Sequence, residues 1–116
     1  MVVKVYGLSQ CSTCVKARAW LDAHQVVHAF QDYRAVPVAP AVLTKWAKEL
    51  GGWEKLVNRA SMTWRNLDAS LKEPATDAEW LALIADYPAL IKRPVTVYAD
   101  GSVTVGFNEK RYLEKF

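Results

Sequence analysis

Val2-Val3-Lys4-Val5-Tyr6-Gly7-Leu8-Ser9-Gln10-Cys11-Ser12-Thr13-Cys14 joins a strand, a turn and a helix start in one short run. Val2 to Tyr6 is β-branched and aromatic and reads as a strand. Gly7 and Ser9 break it, and Ser12 or Thr13 can cap the helix that follows. Cys11 therefore falls at a helix N-terminus, where free amide groups and the helix dipole favour an anion. A thiolate is such an anion, and this placement can lower a cysteine pKa from about 8.5 to roughly 3.5–7.5. Cys14 lies one turn further on the same face, within reach of a sulfur attached to Cys11. These are the only two cysteines in the chain, and the spacing points to thiol–disulfide chemistry.

A zinc site is the main competing use of such a pair, because His24 and His28 follow it. If Thr13 to Gln25 is one helix, His24 lies roughly 15 Å from Cys14, too far for four ligands to share a metal. No metal is expected. The two histidines read as a helix-end residue and a strand residue without a chemical role.

The length of 116 residues suits a single domain with a real core, and 52% apolar residues with five tryptophans argue against disorder. No stretch approaches the roughly 18–20 apolar residues of a membrane span. The N-terminus reads as the first strand and carries no export signal, so a cytoplasmic protein is expected. A formal charge of +3 with scattered cations gives no basic stripe for direct nucleic-acid binding.

Beyond Cys14, Ala17, Trp20, Leu21 and His24 recur with helical period. Val26 to Tyr33 then reads as a second strand parallel to the first, completing a βαβ unit. Arg34 to Pro40 marks a boundary. Val42, Leu43, Trp46, Ala47 and Leu50 share one face of a helix that stops at Gly51-Gly52. Trp53 to Asn58 reads as a short helix, and Thr63 to Leu67 is left unassigned. Thr76-Asp77-Ala78-Glu79 is a capping box opening a helix with Trp80, Leu81, Ile84 and Tyr87 inward. Val95–Tyr98 and Val103–Val105 flank Asp100-Gly101 as a hairpin, and Asn108 can cap a final helix. The expected fold is α/β: a thioredoxin-like mixed four-stranded sheet, with a helical insertion over 38–90 between its βαβ and ββα halves. The whole of 1–116 forms one domain.

Lys92-Arg93-Pro94 precedes the third strand. Pro94 can simply begin that strand, where no ladder donor is lost. It can also follow a cis peptide bond, as about 5–6% of X-Pro bonds do. In a thioredoxin-like arrangement the loop before this strand faces the cysteine pair. Arg93 would then stand beside Cys11, stabilise its thiolate and grip an anionic substrate.

With Tyr6-Gly7, Asn58-Arg59, Thr63-Trp64-Arg65 and Ile91-Lys92-Arg93-Pro94-Val95 in this order, the chain resembles the ArsC/Spx family over essentially its whole length. The resemblance implies a thioredoxin fold, a catalytic Cys11, and Arg93 before a cis Pro94. Arsenate reductases of this family use two further arginines. One position falls at Asn58, with Arg59 the nearest cation, and the other near Gly106, where no arginine stands. They also lack a second cysteine at the Cys14 position, whereas the Spx branch, regulators that bind the RNA polymerase α subunit, keeps it as a redox switch. Gly51-Gly52 fits either a helix stop or the glycine of an Spx polymerase contact.

Three functions follow as expectations. The first is a glutathione-dependent thiol–disulfide reductase in which Cys11 attacks, Cys14 or glutathione resolves, and Arg93 stabilises the thiolate. Arg59, Pro94, Ser12 and Thr13 are its substrate-binding candidates. The second is an Spx-like regulator that binds the RNA polymerase α C-terminal domain, and the third an arsenate reductase. Glutathione or glutaredoxin is the expected partner, with no tightly bound cofactor, no direct nucleic acid, no membrane, and a monomeric state.

Overall fold

A computed structural model describes residues 2–116. Its four strands are β1 (Val3–Gly7), β2 (His28–Asp32), β3 (Val95–Val97) and β4 (Val103–Val105). They form one sheet in the order β2-β1-β3-β4. β1 and β2 run parallel, from Val3 opposite His28 to Gly7 opposite Asp32. β3 is antiparallel to β1 and β4 to β3, with Val5 opposite Thr96 and Thr96 opposite Thr104. The mixed α/β sheet is thioredoxin-like.

The crossover between β1 and β2 is α1 (Ser12–Ala23). Its Ala17, Trp20 and Leu21 pack with Val5, Tyr98 and Tyr112 into one apolar core. Tyr112 comes from the last helix, α6 (Glu109–Lys115), whose N-cap Asn108 accepts the Arg111 amide at 3.1 Å. The Tyr112 hydroxyl is paired with buried Thr96 at 2.6 Å, so each of these two hydroxyls has a partner. His24, the C-cap of α1, stacks on Trp20 at its solvent end, and His28 opens β2.

The chain divides into two compact units. One runs to Val36 and resumes from Arg93 to Phe116, carrying the sheet; the other is Pro37–Lys92. The second unit holds α2 (Pro40–Leu50), α3 (Trp53–Leu56), α4 (Met62–Arg65) and α5 (Asp77–Asp86), with 3-10 turns at Ala69–Leu71 and Pro88–Leu90. Its four tryptophans are all buried. Trp53 and Trp64 each stack on Trp80 at 6.2 Å, and the Trp53 indole N–H donates to Asp77 at 2.8 Å. The tryptophans of this unit are therefore core residues.

Several local expectations shift. The unassigned stretch becomes α4, because Ser61 caps it by accepting the Trp64 amide at 3.2 Å. Tyr87 is exposed and not inward. It ends α5 in a non-helical conformation, and Leu83 takes the buried position with Trp80 and Ile84. The capping box holds as read, with Thr76 Oγ1 accepting the Glu79 amide at 3.2 Å. Gly51 sits in the left-handed region (φ 96°), and Gly52 donates back to Ala47 O at 2.7 Å. This geometry stops a helix and is itself enough to favour glycine. Among the described residues, no helix is long and apolar enough to cross a membrane.

Candidate active site

Cys11 is the N-cap of α1, and Ser12 is already its first helical residue. Neither Ser12 nor Thr13 caps the helix, contrary to the reading from sequence, because the helix begins one residue earlier than a hydroxyl cap would place it. The Cys11 carbonyl accepts the Val15 amide at 2.9 Å, and its own N–H donates to Leu8 O at 3.1 Å. An N-cap side chain normally offers an oxygen to the amides two and three residues on. Here the Cys11 side chain closes no such capping hydrogen bond, but the amides at those positions, Thr13 and Cys14, favour its thiolate.

Partial burial works against ionisation of Cys11. The Cys14 amide, the Cys14 thiol, the Arg93 guanidinium and the Thr13 amide outweigh it and hold the pKa below the ordinary thiol value. Cys14 is the opposite case. It is fully buried, and burial pushes its thiol up to about 11; the Leu8 amide works against the rise, and the neighbouring Cys11 adds to it. The pair is divided into a partly exposed Cys11, whose ionisation is favoured, and a buried Cys14, whose ionisation is opposed. Such a division suits a nucleophile and a resolving group.

Gly7, at the end of β1, makes room for this. A Cβ at Gly7 would collide with Cys14 Sγ, so the strand can pass over the buried sulfur only without a side chain. The following loop is tied down by Asp32, at the end of β2. One Asp32 oxygen accepts the Ser9 amide at 3.0 Å and the Ser9 hydroxyl at 2.8 Å; the other accepts the Arg34 amide at 2.9 Å and the Ala35 amide at 3.3 Å. Hydrogen bonds from the Ser9 amide and hydroxyl, then the Arg34 amide, hold this carboxyl down at about 2. Asp32 thus joins the turn before Cys11 to the chain after β2.

Arg93 enters from the loop before β3, and its bond to Pro94 is cis. Pro94 is buried, and its carbonyl accepts the Gly106 amide at 2.8 Å. The Arg93 guanidinium is hydrogen-bonded to Cys11 and to the Tyr33 hydroxyl. Leu8, Ser9, Gln10, Cys11, Ser12, Asp32, Arg34 and Arg93 line an open cleft of about 690 Å³. Cys11, Cys14 and Arg93 are therefore brought together, with Ser12 on the cleft wall and Thr13 contributing its amide. Arg59 lies in the helical unit, where it lines a different depression with Ala60, Trp64, Ala69, Lys72 and Glu73. Asn58 is a turn residue whose side chain accepts the Ala60 amide at 3.0 Å. At Gly106 the nearest guanidinium is that of Arg111, which donates to the carbonyls of Val105 and Gly106 at 2.7 and 3.1 Å.

Reading the sequence missed Asp32 and Tyr33. An aspartate at a strand end is a signal for a turn that bonds its own backbone, whereas nothing local marks Tyr33.

A thioredoxin-like sheet with a cysteine pair opening its first helix and a cis-proline before β3 defines the class: a thioredoxin-fold protein carrying a dithiol. Within that class the chain belongs to the ArsC family, whose sequence model matches residues 6–115. It is 41% identical over 115 residues to an uncharacterised protein of Haemophilus influenzae, covering 99% of each chain. The solved structure of the YffB protein superposes with a TM-score of 0.88 at 38% identity, covering 98% of both chains. The global transcriptional regulator Spx of Streptococcus mutans is 29% identical, over 93% of this chain and 78% of that protein.

Proposed function

We propose that the chain is a thiol–disulfide oxidoreductase that uses Cys11 as its nucleophile and glutathione as its co-substrate. One observation carries this reading: the Cys11 sulfur sits at the N-cap of α1, with two amides, the Cys14 thiol and the Arg93 guanidinium favouring its thiolate. In the first step the Cys11 thiolate attacks one sulfur of a mixed disulfide. A new Cys11 disulfide forms, the old S–S bond breaks, and the departing thiolate takes up a proton. In the second step Cys14 gives up its proton and attacks the Cys11 sulfur, expelling the bound thiol and leaving a Cys11–Cys14 disulfide. Two electrons have then passed from the dithiol to the substrate. Two glutathione thiols, or a glutaredoxin, restore the pair, with glutathione disulfide as the product of the former.

Cys14 becomes easier to ionise as this proceeds. Burial remains, but once the Cys11 sulfur is in a disulfide its negative charge no longer opposes a second thiolate. Arg93 stays beside the reacting sulfurs and stabilises whichever thiolate leaves.

Arsenate reduction has less support. Of the three arginine positions implied by the resemblance, one holds Arg93 beside Cys11, and Asn58 and Gly106 occupy the others. An oxyanion would lose charge-assisted bonds worth about 1.5–3 kcal/mol each. A redox-switched regulator that meets the polymerase α C-terminal domain draws on the likeness to Spx. Gly51-Gly52, which suggested that contact, is accounted for as a helix stop. A complex with that domain in either redox state would favour the regulator.

The test is turnover of a glutathione mixed disulfide by the reduced chain. Cys11→Ser should abolish it, and a Cys11→Ser protein with full activity would end the proposal.

A further inference from the structure

Tyr33 is a buried titratable group in contact with the site that the steps above leave unused. Its amide donates to Gly7 O at 3.0 Å, which extends the β1–β2 pairing by one residue and fixes the backbone beneath the cysteine pair. The residue is only 1% exposed. The phenol oxygen is hydrogen-bonded to the Arg93 guanidinium, which is also hydrogen-bonded to the Cys11 sulfur. Three side chains from three segments therefore form one chain: Tyr33 after β2, Arg93 before β3, and Cys11 at the start of α1.

We infer that Tyr33 is a positioning residue that holds the Arg93 guanidinium on the Cys11 sulfur. An arginine side chain has many rotamers and loses conformational freedom when held in one place. A stiff, buried aromatic ring fixes a hydroxyl at a set point, and a guanidinium that donates to it has little freedom left. Burial also keeps the phenol protonated and neutral, so it orients Arg93 without drawing its charge away from the thiolate. The other charged or titratable groups nearby are Cys14, behind Cys11 on α1, and Asp32 and Arg34 on the cleft wall. Asp32 already accepts four hydrogen bonds and stays ionised down to about 2, so it does not titrate with Cys11.

The inference extends the reading of Cys11 as nucleophile, but its readout is ionisation and not turnover. A chain that reduced no disulfide would still show the effect, so the two ideas fail separately. The experiment follows the pH dependence of Cys11 alkylation by iodoacetamide in the reduced full chain, with the site of modification read by mass spectrometry. The guanidinium favours the thiolate, so loosening it raises the midpoint. Tyr33→Phe should move the midpoint up by about 0.5–1 pH unit, a fraction of what a nearby opposite charge can contribute. In an Arg93→Met background, which has its own higher midpoint, adding Tyr33→Phe should change nothing. An unchanged midpoint in the native background would overturn the inference, and so would an equal rise with and without Arg93. A second measurement needs no variant at Tyr33. The carbon-13 signal of the Tyr33 ring should titrate in step with Cys11 and cease to do so in Arg93→Met; a signal indifferent to Cys11 ionisation would also overturn it.

Discussion

Replacing Gly7 with alanine tests the packing that buries Cys14. The added Cβ would collide with Cys14 Sγ, while its next neighbours, Cys14 Cβ at 3.5 Å and Phe30 Cε1 at 3.6 Å, are at ordinary contact distance. The sulfur has little room to retreat, since Cys14 is fully buried and held between the Leu8 amide and Cys11. Overpacking of this kind costs about 1–3 kcal/mol. Removing a strand glycine returns about 0.5–1 kcal/mol. The net loss should be about 0.5–2 kcal/mol, or a fall in Tm of about 2–8 °C for a chain of this size. Cys14→Ala takes away the sulfur, so in that background Gly7→Ala should be neutral or stabilising by up to about 1 kcal/mol. Urea or thermal unfolding of the four proteins under reducing conditions gives the cycle. A harmless Gly7→Ala would refute the reasoning, as would one equally costly without the sulfur.

Other consequences follow from the same geometry. The Asp32 carboxyl is held at about 2, below its ordinary value of 3.8, so its stabilisation is present above the ordinary value and is lost as pH falls towards 2. The Tm gap between the native chain and Asp32→Asn should therefore be constant near neutral pH and close through that acid window; a gap that persists at the acid end would contradict the assignment. Gly51→Ala should cost about 1 kcal/mol through backbone strain alone, because nothing lies within 4 Å of the added Cβ. Its urea midpoint should drop while Cys11 alkylation is unchanged, and a midpoint equal to the native one would count against the helix-stop reading. Cys14→Ser should trap the Cys11 mixed disulfide after a single turnover, visible as one glutathione adduct by mass spectrometry. Rapid clearance of that adduct without added thiol would show that Cys14 is not the resolving group.

Much of the fold was legible because its signals are local. A β-branched run before a glycine, a capping box at Thr76–Glu79, and Asp100-Gly101 between two valine-rich segments each report their own element, and each element formed. What stayed hidden depends on contacts distant in sequence. Tyr33 read only as the end of a strand, since its partner Arg93 is sixty residues away in sequence. The constraint on Gly7 is a buried sulfur one helical turn into α1. Ser12 and Thr13 were misread because Cys11, a residue without a capping oxygen, occupies the N-cap position. Arg59 was selected as a cation near a family position, and charge alone does not fix which depression a side chain lines.

The most direct test of the central assignment is acid trapping of the native chain across glutathione redox buffers, followed by mass spectrometry of the two cysteines. Cys11 should be the residue that takes glutathione, giving way to a Cys11–Cys14 disulfide with a midpoint in the range of roughly −320 to −220 mV. Modification of Cys14 with Cys11 left free, or two unreacted thiols throughout that range, would contradict a Cys11 nucleophile resolved by Cys14.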